Sequence, residues 1–585
     1  MVFGLERTLL RGQLGRALKE CRKHFLAAAA FSALANVLYL APTLYMIQVY
    51  DRAMPTGGVV TLAGLTVVVV VSLAVLAAME WMRSRVLVRA GARLDRLLAG
   101  PVLSALLAST SLKPEARAQA MREFDLFRQV LAGPGLLAAL DVPWAPIYVI
   151  AASLLSPLLG VAALASALLL LGLAWLNESA TRRPLQQANE AAGATYAAQN
   201  YVSASAGAVR ALGMREALVQ KQIADRRMMT DLQVQASMSA SAYVAGLKAA
   251  RLILQSAALG LAAYLAIKGQ ISAGAIFAAS FLLTRTLAPV EHIVGSWKSI
   301  VLARSAHRKL TDLLDAGETG EAQTLLPAPT GHLTIEHVSL KASPDRPPIL
   351  EDVSFEVMPG ELIGIVGPSG AGKSTLARII AGATRPDSGG VRIDGASRSD
   401  WDPERLARYV GYVPQDFALF PGTVKDNIAR FRTYLGEDRE TIDAMAVRAA
   451  QAIDAHDMIL RLPQGYDTPI SIGGAGLSVG QTQRIAIARA LFGDPKILVL
   501  DEPNANLDAE GETALAKALA ERRQNGTAVV MVAHRSRILA DASRVIVMRA
   551  GGVLPFDSLA EAAERMRRVS GDLQEGAAAE PRMRA

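Results

Sequence analysis

Cysteine is nearly absent. Cys21 is the only one in 585 residues, so no disulfide framework holds this chain. One thiol and seven scattered histidines also exclude a structural zinc site. Charge is sparse: Asp, Glu, Lys and Arg make up 19%, against roughly 25% in soluble domains, and aromatic residues only 5%. Apolar residues fill the gap at 51%, and the mean hydropathy is positive. A chain this apolar is not disordered in the main. At about 100–200 residues per domain, its length accommodates a membrane part and a soluble part.

Charge is also missing locally, and that decides the membrane question. Phe25–Tyr50 contains no Asp, Glu, Lys or Arg, and after Asp51 and Arg52 the stretch Ala53–Met79 again contains none. Each exceeds the ~20 residues that cross a bilayer. Val142–Asn177 is uncharged too, and its break at Ser156-Pro157 predicts two helices joined by a very tight turn. Leu252–Ile267 and Gly269–Thr284, separated by Lys268, are shorter, but their apolar flanks extend them to spanning length. The expectation is six transmembrane helices. A cleaved signal peptide is a competing reading of Phe25–Gln48, but the stretch is too long, lacks a polar cleavage region and precedes further spans.

Lys and Arg set the orientation. Arg7, Arg11, Arg16, Lys19, Arg22 and Lys23 precede the first span, whereas the loop Asp51–Gly58 holds only Arg52. Arg83, Arg85, Arg89, Arg93 and Arg96 follow the second span, and Arg182 and Arg183 the fourth. Both termini are therefore expected in the cytoplasm. The formal charge of +8, from 61 Lys+Arg against 53 Asp+Glu, invites a nucleic-acid reading. The basic residues cluster at membrane borders instead, where the positive-inside bias accounts for them, so no nucleic acid is expected.

The polar stretches of about residues 83–133 and 179–243 keep a helical pattern rich in Ala, Leu, Glu, Gln and Arg. Spans that run on into the cytoplasm as long helices explain them without structureless loops. Asp315–Thr330 is Gly-, Pro- and acid-containing, which predicts a linker; beyond it, short β runs alternate with helices. The predicted organisation is an N-terminal segment 1–24, a six-helix membrane domain 25–312, a linker 313–330, an α/β domain 331–560 and a polar tail 561–585. No internal repeat of 20–50 residues is present. The predicted fold class is multidomain: an all-α transmembrane domain followed by an α/β domain.

The chemistry lies in the last part. Glu361–Val366 reads as a buried strand leading into Gly367-Pro368-Ser369-Gly370-Ala371-Gly372-Lys373-Ser374-Thr375, and Leu376–Ala381 continues as a helix. Strand before and helix after are the context that confirms a phosphate-binding P-loop. Its glycines let backbone N–H groups wrap a phosphate, and the helix N-terminus adds partial positive charge. Lys373 reaches the β- and γ-phosphates of ATP, and the Ser374 hydroxyl can ligate Mg²⁺. Further on, the apolar strand Ile497–Leu500 ends in Asp501-Glu502. There Asp501 can hold Mg²⁺ through water, and Glu502 can polarise the attacking water. Leu477-Ser478-Val479-Gly480-Gln481 opens another helix and is a second anion site with no strand before it. Such a site is best explained if it caps a nucleotide bound by another copy of the chain.

The order of P-loop, Gln415 in Tyr412-Val413-Pro414-Gln415, Leu477–Gln481, Asp501-Glu502, Asn506-Leu507-Asp508 and His534 resembles the ABC transporter ATPase over about residues 331–555. The resemblance implies head-to-tail dimers with two ATP molecules between the P-loop of one copy and Ser478–Gln481 of the other. It further implies that Gln415 senses Mg²⁺, that Asp508 links the two sites and that His534 contacts the γ-phosphate. One six-span domain fused to one ATPase implies a homodimer. Met46-Ile47-Gln48-Val49-Tyr50-Asp51-Arg52 and Leu140-Asp141-Val142-Pro143-Trp144-Ala145-Pro146-Ile147-Tyr148 resemble the ATPase-permeases of type I secretion, in the class that exports metalloproteases, lipases, haem-binding proteins and S-layer proteins. For Asp141–Trp144 an ordinary helix start with an interfacial aromatic remains open. About 24 residues before the first span leave no room for the peptidase domain of the bacteriocin-exporting branch.

Three positions depart from the resemblance. Val479 stands where a second glycine is usual, and Ile472 in Ile470-Ser471-Ile472-Gly473-Gly474-Ala475-Gly476 where a glutamate is expected. Ala342 replaces the tyrosine that stacks on adenine, and stacking is worth about 1–3 kcal/mol per base in single-strand binders. The expected function is an ATP-driven inner-membrane exporter of unfolded polypeptide, with a lipid or small-molecule exporter of the same architecture as the alternative. A degenerate regulatory ATPase is disfavoured by the presence of Lys373, Asp501, Glu502 and His534. The resemblance implies as partners a periplasmic membrane-fusion adaptor, an outer-membrane channel and a cargo protein with an uncleaved C-terminal signal.

Overall fold

The computed structural model describes residues 12–108, 114–318, 325–342, 347–471, 476–533, 537–549 and 551–556. His534, Ile472 and the tail 561–585 lie outside the described residues. The chain divides into two compact units, Met1–Thr319 and Gly320–Ala585.

The first unit is helical: α1 (Gly12–Glu20), α2 (Arg22–Leu38), α3 (Ala41–Gln48), α4 (Val59–Ala108), α5 (Pro114–Leu131), α6 (Pro134–Asp141), α7 (Ala145–Leu155), α8 (Pro157–Ala204), α9 (Arg215–Ile267), α10 (Ala273–Gly295) and α11 (Trp297–Glu318). Among the described residues, six segments are long and apolar enough to cross a membrane: Arg22–Thr56, α4, Pro134–Leu155, α8, α9 and α10. The runs flanking Lys268 thus reach spanning length, as their apolar surroundings predict. Helices α4, α8 and α9 hold 50, 48 and 53 residues. At 1.5 Å per residue each is roughly 70–80 Å long, more than twice the ~30 Å hydrocarbon core. The polar stretch after the second span is accordingly the continuation of α4 together with α5, and that after the fourth span the continuation of α8 together with the first half of α9.

The predicted tight turn is a single extended residue. Ser156 (φ −162°, ψ 134°) separates α7 from α8, and Pro157 opens α8 at the position where a missing N–H costs nothing. A Cβ on Gly160 would stand 1.9 Å from the Ser153 hydroxyl oxygen, so this hairpin closes only around glycine. Cys21 is fully buried with Leu14, Leu94, Phe124 and Leu310, where it acts as a small hydrophobe.

Both membrane motifs tie helices together. Met46–Arg52 ends in a π-helical turn, Val49–Ala53. There Asp51 accepts the Gly274 N–H at 2.8 Å and the Ser272 hydroxyl, which satisfies the first turn of α10 with a negative charge. Tyr50 stacks on Phe277 with centroids 4.5 Å apart, and Gly274 sits so close that a Cβ would meet Ile47 at 2.9 Å. Asp141 accepts from Arg83 Nη1 at 2.9 Å and from Asn36 Nδ2 at 2.8 Å, while Tyr148 donates to the Asn36 side-chain oxygen at 2.8 Å. Asp141 is therefore the acceptor that joins α2, α4 and α6. With Glu80 and Arg285 these groups line a polar cavity of about 200 Å³.

The second unit holds an antiparallel sheet of β1 (Leu333–Lys341), β2 (Pro348–Val357), β4 (Ser388–Ile393) and β5 (Ala396–Ser397), in the order β2-β1-β4-β5. A six-stranded sheet adds β3 (Leu362–Val366), β6 (Val410–Val413), β7 (Ile497–Asp501), β8 (Ala528–Val532), β9 (Arg544–Arg549) and β10 (Gly552–Phe556), in the order β10-β9-β3-β8-β7-β6. Only β10 runs antiparallel to its neighbour. Alternate residues of the central strands feed two cores. Leu362, Leu498 and Met531 enter one, and Ile363, Val499 and Val530 the other. A parallel sheet covered on both faces explains why these strands read as unbroken apolar runs. It also brings the ends of β3 and β7 to one edge of the sheet, with β8 between them, where ligands bind in such folds.

Candidate nucleotide site

Strand β3 delivers Gly367–Gly372, and Lys373 opens helix α12 (Lys373–Ala381). The loop needs its glycines for want of space. At Gly372 (φ +95°) a Cβ would lie 2.7 Å from the Ile349 carbonyl oxygen, and at Gly367 2.3 Å from that of Met548. Pro368, Ser369 and Gly370 are exposed and Ala371 is buried, so the crest of the loop is open. Lys373 is buried, and its ammonium donates to the Gly367 and Pro368 carbonyl oxygens at 2.9 Å each. Burial lowers its pKa, against the pull of the Glu502 and Asp501 carboxylates. The Thr375 hydroxyl accepts from Arg378 Nη2 at 3.4 Å.

Ser374 stands at the centre of the polar cluster. Its hydroxyl lies 3.2 Å from Asp501 Oδ1 and 3.4 Å from Gln415 Oε1, and the other end of the Gln415 amide donates to Glu502 Oε2 at 3.3 Å. Burial raises the Asp501 pKa, while the Ser374 hydroxyl works in the opposite direction. Glu502 adopts a left-handed backbone (φ +51°), held by its N–H to the Val532 carbonyl at 2.9 Å. A glutamate forced into αL costs about 1–3 kcal/mol, and such strain clusters at sites where a side chain must be aimed. The structure thus unites Lys373, Ser374, Gln415, Asp501 and Glu502 around one loop.

Helix α13 (Arg439–Ala452) comes next in the chain, and the second anion site opens helix α14 (Val479–Leu491). Ser478 Oγ accepts the Gln481 N–H at 3.2 Å and Gln481 Oε1 accepts the Ser478 N–H at 2.8 Å, a reciprocal capping box. Val479 is 60% exposed, so its side chain displaces nothing within the unit. Gly480 faces the Asn506 carbonyl oxygen, 3.3 Å from where a Cβ would be. Asp508 caps helix α15 (Ala509–Gln524) through the Gly511 N–H at 2.9 Å and accepts Arg484 Nη2 at 2.6 Å; both hold its carboxyl below the ordinary value. Gly480 therefore lies against Asn506 of its own chain, and Arg484, about one turn on, holds Asp508. Ala342 is exposed.

Gln483 and Arg484 belong to this site, although the sequence alone assigns them no role. Their signal was a polar side chain one helical turn past a capped start, on a helix where Ile485–Ala488 are all buried. An amide fully buried among these has to find partners.

The ABC transporter family matches residues 350–505. The type I secretion system ATP-binding protein PrsD of Rhizobium meliloti is 40% identical over 542 residues, 92% of this chain and 92% of that protein. The toxin RTX-I translocation ATP-binding protein of Actinobacillus pleuropneumoniae is 31% identical over 92% of this chain and 76% of its own length. A solved bacterial Atm1-family ABC exporter with ATP bound has the same fold, with a TM-score of 0.80 over 96% of this chain and 99% of that one, at 24% identity. A P-loop and strand-end acids on a doubly covered parallel sheet, six spanning helices and relatives alike along nearly the whole length agree: this chain belongs to the ATP-binding proteins of type I secretion systems, multi-pass ABC exporters that couple ATP hydrolysis to protein secretion.

Proposed function

We propose that the chain works as a homodimer in the bacterial inner membrane, both termini cytoplasmic, and that each ATP is bound between Gly367–Thr375 of one copy and Ser478–Gln481 of the other. The observation that carries this is the convergence of Lys373, Ser374, Gln415, Asp501 and Glu502, with the capping box of Ser478 elsewhere on the same unit. The Ser374 hydroxyl, the Gln415 amide oxygen and the Asp501 carboxylate form an all-oxygen set within hydrogen-bond distance, which fits Mg²⁺. Bound there, Mg²⁺ would neutralise charge on the β- and γ-phosphates.

The chain's own groups do the rest. Lys373 leaves its two carbonyl partners for the phosphates, and the Gly370–Gly372 backbone wraps them. Glu502, held by Gln415, orients water and takes its proton. His534 adds a contact to the γ-phosphate and Asp508 links the two sites. The cargo is an unfolded polypeptide with an uncleaved C-terminal signal, passed on to a periplasmic membrane-fusion adaptor and an outer-membrane channel. Among the described residues, the charged cavity of Asn36, Glu80, Arg83, Asp141, Tyr148 and Arg285 suits a hydrophilic chain better than acyl tails.

A deletion strain tests both halves of this reading. Complemented with the parent gene it should restore one or a few proteins to the medium; complemented with Glu502→Gln it should leave them inside the cell. An unchanged extracellular proteome with altered lipid distribution would move the cargo to lipids. Normal secretion by Glu502→Gln would remove Glu502 from catalysis.

A further inference from the structure

The segment that follows Glu502 runs Pro503-Asn504-Ala505-Asn506, and a closed turn of this kind would bond the Pro503 carbonyl to the Asn506 N–H. Here both groups are taken by one side chain. Gln483 Nε2 donates to the Pro503 carbonyl oxygen at 2.5 Å, and Gln483 Oε1 accepts the Asn506 N–H at 3.0 Å. The Gln483 side chain is 0% exposed. The amide carries a donor and an acceptor on one planar group, and here it serves both ends. One position on, Arg484 holds Asp508 at 2.6 Å, and about one turn before Gln483 a Cβ on Gly480 would come within 3.3 Å of the Asn506 carbonyl oxygen. Helix α14 is thereby fastened at three points to the stretch that begins at Glu502.

We propose that Gln483 is a positioning residue for ATP hydrolysis: its amide bolts the strained Glu502 turn to helix α14, so that the water-activating carboxylate and the Ser478–Gln481 loop move as one piece. The inference rests on the roles given above to Glu502 and Ser478–Gln481. Glu502 needs such a brace, because its left-handed backbone persists only where the surroundings over-determine it. The brace also gives the dimer a mechanical property. Where Ser478–Gln481 seats on the triphosphate held by the other copy, it sets the Glu502 carboxylate of its own copy in the same movement.

The test uses the full-length protein in detergent or nanodiscs, with Gln483→Met, which keeps the volume and removes both hydrogen bonds. ATP affinity, KM and kcat are measured beside thermal unfolding. The expected result is a kcat at least tenfold lower with KM and ATP affinity within about twofold of the parent, since misplacement by ~1 Å can cost 10²-fold. A kcat within twofold of the parent overturns the inference. So does a parallel loss of ATP affinity and thermal stability, which marks a merely structural amide. If Gln483→Met does not accumulate folded, Gln483→Glu is read by the same criteria; it keeps the acceptor for Asn506 and loses the donor to Pro503. Glu502→Gln is run in parallel: parent-like hydrolysis there defeats the catalytic reading itself, whereas slow Glu502→Gln beside normal Gln483→Met defeats the brace alone.

Discussion

Replacing Asp141 by Ala isolates the charge that holds the membrane unit together. Arg83 is 8% exposed, and its Nη1 lies 2.9 and 3.1 Å from the two Asp141 oxygens. Its remaining partners are the Ser32 hydroxyl at 3.1 Å and Glu80 at 3.7 Å, and its Nε has no partner even in the parent. Asn36 is less affected, because its Nδ2 keeps the Ser32 carbonyl at 2.8 Å. The cost is therefore dominated by a buried guanidinium stripped of its counter-ion, about 3–5 kcal/mol. With a shift of about 2–4 °C per kcal/mol, the apparent unfolding temperature of the first unit should fall by roughly 6–20 °C. Thermal unfolding of the detergent-solubilised protein at a fixed scan rate measures it. Arg83→Met together with Asp141→Leu removes both charges and should recover most of the loss, since apolar replacement of a buried pair is often neutral. An Asp141→Ala unfolding temperature within 2 °C of the parent would refute the argument, as would a double variant no better than the single.

Three further outcomes follow from the geometry. Co-expression of Gly480→Asp with Lys373→Ala yields mixed dimers with one intact composite site, so some ATPase activity should appear where each variant alone has none, below the roughly one quarter of the parent rate that independent sites would give, because the Glu502 of that site belongs to the copy whose own Ser478–Gln481 faces the altered site; a rate no higher than that of either variant alone argues against sites shared between copies. Gly274→Val forces a side chain to within 2.9 Å of Ile47 and should destabilise the first unit by about 1–3 kcal/mol, read in the same unfolding assay. Glu361 accepts Arg544 Nε at 2.6 Å and the Met358 N–H at 2.9 Å. Burial pushes its pKa up, but these contacts outweigh it and hold the carboxyl below its ordinary value. That stabilisation is complete above the ordinary pKa of about 4.3 and is lost as pH falls through the lower folded value. Glu361→Gln should flatten the acid limb of unfolding below that point, and a limb as steep as the parent's rules the pair out as its cause.

The six spans were legible because each leaves a long gap in the charge pattern. Arg285 shows the limit of that signal. It ends the uncharged run at Thr284, yet α10 continues to Gly295, because the guanidinium stacks on Tyr39 at 3.7 Å instead of ending the helix. The P-loop and the Asp501-Glu502 pair were legible because local geometry dictates them: a glycine where a Cβ would strike backbone, an acid at the end of an apolar strand. Asp51 and Asp141 stood out as strings, but their work depends on residues far along the chain, Gly274 and Arg83, and no local pattern announces such a partner. Gln483 was hidden for the same reason. Its partners at 503 and 506 are set by tertiary packing.

Helices α8 and α9 pack side by side over much of their length, 48 and 53 residues with only a short connection between their ends. Such a pair has no slack in its numbering. One residue inserted midway through either helix turns everything beyond it by about 100° and advances it by 1.5 Å, so that every later contact with the partner faces the wrong way. Seven residues restore the phase to within about 20° on one side, and eleven to within about 20° on the other. Length differences among relatives in this hairpin should therefore come in whole multiples of two or three turns, and in matched steps on both helices. Growth here is quantised, and its smallest increment is set by the pitch of the α-helix.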